Sequence, residues 1–134
     1  MMAHWALDYL GKPWVSGAAG PHGYDCYGLV RAVYRDRYGI DMPALDPGIV
    51  STLACAKAMR DYADYGHWAP VDDPQEGDVL QMGCARHPHH VGVYVADGAR
   101  VLHCVGGIGV LLQPLASLRL HGWNILNTYR RRPA

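Results

Sequence analysis

The sequence has no excess charge of either sign: 12 Lys and Arg balance 12 Asp and Glu, and the net charge is +0 with the eight histidines neutral. A chain so balanced offers no global field to nucleic acid or to an anionic bilayer. It also lacks any apolar stretch long enough to span a membrane. Its start, MMAHWALDYLGKPW, has neither the basic segment nor the apolar run of a secretory leader. The expectation is a protein made in the cytoplasm without a signal peptide, with delivery by other means if it acts outside. No C-x-x-C pair occurs among the four cysteines, Cys26, Cys55, Cys84 and Cys104. A chain of 134 residues can bury a core without disulfide staples, so reduced thiols are the default. Repeats, linkers and low-complexity segments are missing too, which leaves a single domain over residues 1–134.

What is present falls into two textures. A short helix is expected near residues 3–10, ending at Gly11, and a Gly- and Pro-rich loop follows, GKPWVSGAAGPHGYD. From Cys26 to Tyr38 the pattern is helical: Cys26, Leu29, Val30 and Val33 fall at i, i+3, i+4 and i+7. Asp25 suits the N-cap and Gly39 the C-terminal stop. A second helix is expected from Ser51 to Tyr65. After Pro74, GDVLQM, HVGVYVA, RVLHCV, GVLLQPL and ILNTYR read as about five strands. Helices first and an antiparallel meander after them predict an α+β fold.

The chemistry gathers around one thiol. At a helix start, unpaired N–H groups and the positive end of the dipole favour thiolate over thiol, and Cys26 sits at such a start. A nucleophile needs a base, and the predicted hairpin supplies one. A two-residue turn at Asp97-Gly98 sets Gly92 opposite His103 and His90 diagonal to it on the same sheet face. Val91, Val93, Val95, Leu102 and Cys104 then fall on the other face. Cys26 would attack, His90 would take its proton, and His103 would orient the imidazole, with no metal or other cofactor. Cys55 and Cys104 read as packed core thiols, and Trp68 and Trp123 as core. The rival is zinc held by Cys84 and His87 with His89 or Cys104, but the second half of a paired structural motif is missing.

The stretches YLGKPWVSGAAGPHGYDCYGLV, EGDVLQM and HVGVYVADGARVLHC resemble the NlpC/P60 cysteine peptidases, in order and over most of the chain. The resemblance implies a papain-like α+β core and hydrolysis of the peptide stems of bacterial peptidoglycan, often at a D-γ-glutamyl–diamino acid bond. It places Cys26 on the family's nucleophile, His90 on its base and His103 on its polar third residue. Trp14, Tyr24, Asp25, Tyr27 and His89 are the expected substrate-binding residues, with capping a further role for Asp25. The run DCYGLVRAVYRDRYGIDMP looks most like the branch found in phage tails and tail-like particles, which implies tail subunits as partners. Tyr27 replaces the frequent Ser, Trp14 a common Tyr, and SGAAG a usual Gly-Gly pair. An amidase or acyltransferase with the same Cys–His–His set, or a non-catalytic tail protein, are the alternatives.

Overall fold

The computed structural model describes residues 4–42, 68–83 and 90–131. The helix expected from Ser51 to Tyr65 lies outside these residues, as do Cys55, Cys84, His87 and His89. The N-terminal helix is a 3-10 turn over Trp5–Tyr9, its first N–H groups met in part by the His4 ring. Helix α1 covers Cys26–Tyr38 and stops at Gly39, whose φ of 65° suits a residue without Cβ.

Among the described residues, six strands form one antiparallel sheet: β1 (Trp68–Pro70), β2 (Val79–Gly83), β3 (His90–Val95), β4 (Arg100–Val105), β5 (Gly109–Pro114) and β6 (Asn124–Arg131). Their spatial order is β1-β6-β2-β3-β4-β5. The sequence reading expects about five strands in a meander. The chain instead adds Trp68–Pro70 as a short edge, and β6 returns to sit between that edge and β2. Such long-range pairing leaves no local periodicity, which is why the sequence does not announce it.

Alternation along the strands divides the core in two. Val91, Val93, Val95, Leu102 and Cys104 pack with Leu29, Val30 and Val33 of α1. Leu80, Met82, Tyr94 and Val101 pack instead with Leu118 and, less buried, with Leu115 and Trp123. Leu118 and Leu115 belong to a further 3-10 segment, Leu115–His121, that links β5 to β6. Every strand residue from His90 to Val95 is buried, because the sheet is covered on both faces at this point.

The β3–β4 hairpin has the register predicted from its turn. Gly92 pairs with His103, Val93 with Leu102 and Tyr94 with Val101. Ala99 N–H closes the turn onto the Ala96 carbonyl at 3.0 Å, and Gly98 takes the positive φ of 78°. Glu76 pins this turn to the N-terminus: its carboxylate accepts the Ala96 N–H at 2.7 Å and the Trp5 indole N–H at 2.8 Å.

Candidate active site

Helix α1 begins at Cys26 because of the residues on either side. Asp25 lies in extended backbone, and its carboxylate accepts the Gly28 N–H at 2.5 Å and the Gly17 N–H at 2.9 Å. The first bond satisfies an orphan donor of the helix start; the second ties down the preceding loop. The Asp25 N–H donates in turn to the Ala18 carbonyl at 3.0 Å. Gly28 permits this closure, since a Cβ there would stand 1.9 Å from the Ala18 oxygen. Asp25, Cys26 and Gly28 thus have one physical logic: the acid caps, the glycine admits the loop, and the thiol stands at the capped end.

The start of α1 rests against β4. The Tyr24 carbonyl accepts the thiol S–H of Cys104 at 3.1 Å, which ties the loop that leads into Cys26 to β4 at the residue next to His103. Burial pushes the Cys104 thiol up to about 12, and the nearby charges of Cys26 and Asp25 add to the shift. Cys104 therefore stays protonated beside a helix start that favours a thiolate.

At the same end of the sheet the two histidines meet. His90 Nε2 lies 2.8 Å from His103 Nδ1, with the rings 5.1 Å apart and 70° inclined. Gly92 makes the approach possible: a Cβ there would come within 2.6 Å of Val101 Cγ2 and 3.0 Å of His103 Cβ. His103 is fully buried, and its Nε2 contacts Gln113 Oε1 at 2.5 Å. Burial lowers the His103 pKa, the Gln113 contact works against that shift, and the His121 charge adds to it. Trp123 stacks on His90 with centroids 4.4 Å apart and planes 22° inclined, and it meets His103 edge-on.

The NlpC/P60 family matches residues 11–118, a span that holds Cys26, His90, His103 and Gln113. The chain belongs to the NlpC/P60 family. It is 27% identical over 113 residues to a probable endopeptidase of Haemophilus influenzae, covering 83% of this chain and 62% of that protein. It is 30% identical over 112 residues to a probable endopeptidase of Mycobacterium tuberculosis, covering 84% of this chain and 25% of that protein. A gamma-D-glutamyl-L-lysine dipeptidyl-peptidase of Bacillus subtilis is 31% identical over 98 residues, covering 71% of this chain and 28% of that protein. The chain thus spans 62% of the first relative and about a quarter of the other two. Among solved structures, the NlpC/p60 domain of the peptidoglycan hydrolase SagA superposes with a TM-score of 0.59 at 21% identity, covering 96% of this chain and 92% of that one. NlpC2 from Trichomonas vaginalis gives 0.68 at 21% identity, covering 96% and 44%. Both share the α+β fold.

Within this NlpC/P60 domain the residues expected to bind substrate part company. Trp14 is 39% exposed, and its backbone bridges to Tyr24. Tyr24 and Tyr27 are buried at 4% and 3%, so they offer little surface to a ligand. Burial also raises the Tyr24 pKa and keeps the phenol neutral. Both Asp25 oxygens are engaged by backbone N–H groups. His89 lies outside the described residues, as do Cys84 and His87 of the zinc set. Among the described residues no group of three or more His, Cys, Asp or Glu could hold a metal ion.

Two site residues are missed by the sequence reading. Trp123 is expected in the core but is partly exposed and covers His90, because the Leu115–His121 segment and β6 carry it back over β3. It also lines a groove of about 260 Å³ with Leu115, Leu118, Arg119, Asn124 and Ile125. No local signal in the sequence marks Gln113; only its diagonal place across from β4 brings it to His103.

Proposed function

We propose that this NlpC/P60 domain is a cysteine peptidase that cuts peptide stems of bacterial peptidoglycan at a D-γ-glutamyl–diamino acid bond. The observation that carries the reading is the buried His90–His103 contact, on a sheet whose strand β4 is tied through Cys104 to the loop leading into the capped helix start at Cys26. Cys26 gives its proton to His90 and attacks the scissile carbonyl carbon. Backbone N–H groups at the start of α1 stabilise the tetrahedral oxyanion. The C–N bond then breaks, and the departing amine takes the proton from the His90 imidazolium. The thioester left on Cys26 is hydrolysed by a water that His90 deprotonates, which releases the acid and restores the thiol. His103 holds the His90 ring through its turn as base and acid.

The substrate class is supported by the relatives' names, a peptidoglycan hydrolase and a gamma-D-glutamyl-L-lysine dipeptidyl-peptidase among them. The likeness of residues 25–43 to the phage-tail branch supports a finer setting. In that setting the domain is made in the cytoplasm, is carried by a tail or tail-like particle beside other tail subunits, and acts at the cell wall.

The test is a digest of purified peptidoglycan by the wild type and by Cys26→Ala, with products identified by mass. Defined fragments from the wild type and none from the variant are expected, with new termini between the γ-linked acid and the diamino acid. Cleavage between sugar and peptide would make the domain an amidase. Fragments released equally by both proteins would remove Cys26 from the chemistry, and no cutting of any wall type would leave the structural tail-protein reading.

A further inference from the structure

The histidine pair has a third member whose chemistry decides which nitrogen is basic. Gln113 stands on β5 opposite Val101, while Leu111 stands opposite His103, so the Gln113 side chain reaches His103 along the diagonal. Its Oε1 faces His103 Nε2. An amide oxygen has lone pairs and no proton, so the nitrogen facing it carries the hydrogen. His103 is then the Nε2–H tautomer, and its Nδ1 is an acceptor. The 2.8 Å contact to that Nδ1 requires His90 to donate from Nε2. A neutral imidazole has one N–H, which leaves the lone pair of His90 on Nδ1.

We propose that Gln113 is a positioning residue that sets the tautomers of both imidazoles and thereby makes Nδ1 of His90 the nitrogen that takes the Cys26 proton. This rests on the reading of His90 as the base. With the amide turned the other way, every bond in the chain would reverse, and the proton would block Nδ1 of His90. When His90 becomes imidazolium, its Nε2–H still donates to His103, so nothing beyond His90 rearranges. The neutral amide also matters. A carboxylate at 113 would draw positive charge onto buried His103, whereas Gln113 leaves that charge on His90, against the π-face of Trp123.

Protein carrying Cys26→Ala and 15N-labelled histidine, at a pH where both rings are neutral, reports the tautomers directly by long-range nitrogen–proton correlation. The expected spectrum shows the lone pair on Nδ1 of both His90 and His103. Gln113→Leu, made in the same background, should move protons onto Nδ1 of both rings. With Cys26 intact, the same change should lower kcat/KM by about 10- to 100-fold, carried in kcat. Gln113→Glu should keep the neutral tautomers and restore activity above neutral pH, with the acid limb of its pH profile moved upward. A wild-type spectrum with the proton on Nδ1 of either ring, or unchanged tautomers in Gln113→Leu, overturns the proposal. The wild-type and Gln113→Glu spectra decide by themselves if the leucine variant does not fold. Tautomers as stated in a protein whose Cys26 neither cuts peptidoglycan nor reacts with iodoacetamide would overturn the peptidase reading and leave the Gln113 assignment standing.

Discussion

Two thiols within reach of each other's charge have opposite prospects. Cys26 opens α1, where the dipole and the unpaired N–H groups favour the anion; Cys104 is sealed in the core and donates to the Tyr24 carbonyl. At pH 7.5, iodoacetamide should modify Cys26 within minutes and leave Cys104 untouched until denaturant is added, read by peptide mass mapping. Modification of Cys104 in the native protein would contradict its burial and its pKa of about 12. Residues such as Cys26, His90 and His103 can be found from sequence because local rules place them: a cap, a stripe, a two-residue turn. Trp123 and Gln113 cannot. Each reaches the site through a strand neighbour or a chain return that no window of the sequence contains.

At the scale of elements, the β3–β4 hairpin holds the His90–His103 geometry. Its register follows from the Asp97-Gly98 turn and the period of two, so the opposition of Gly92 and His103 is legible in the amino-acid order alone. What alternation does not reveal is how close the fit is. Gly92→Ala would drive a methyl into Val101 and the His103 Cβ. The expected cost is about 1–3 kcal/mol of stability in urea unfolding, together with a loss of activity as the His90–His103 contact opens. A variant as stable and as active as the wild type would show that the hairpin spreads without consequence. The same reasoning explains why β6 goes unread: its place beside β2 depends on the 3-10 segment Leu115–His121, whose course is set by tertiary packing.

The whole molecule balances two cores across one sheet, one sealed by α1 and the other by the Leu115–His121 segment and Trp123. The second core buries His103 as a neutral ring, which makes global stability sensitive to acid. Its folded pKa lies below the ordinary 6.5, so the unfolded chain takes up the proton first. The contribution of His103 is therefore complete above about pH 6.5 and is lost as pH falls from there toward the folded value. Urea midpoints should drop between pH 7.5 and pH 5, and His103→Gln should flatten that slope. An equal slope in both proteins would place the acid sensitivity elsewhere.

One rim of the sheet has a consequence for recognition. Val110, near the start of edge strand β5, donates its N–H to the Lys12 carbonyl and accepts the Gly11 N–H. A Cβ at the neighbouring Gly109 would lie 2.4 Å from the Lys12 oxygen, so glycine is what lets that segment lie there. The backbone groups that an incoming extended chain would need are already taken at that end. The opposite rim is three residues long and closes on Pro70, which has no N–H to offer. The γ-linked peptide of the proposed reading would in any case make a poor extra strand. With Val110 already paired at one rim and the other rim short and closed by Pro70, a ligand of the proposed kind would be read by side-chain chemistry more than by strand addition.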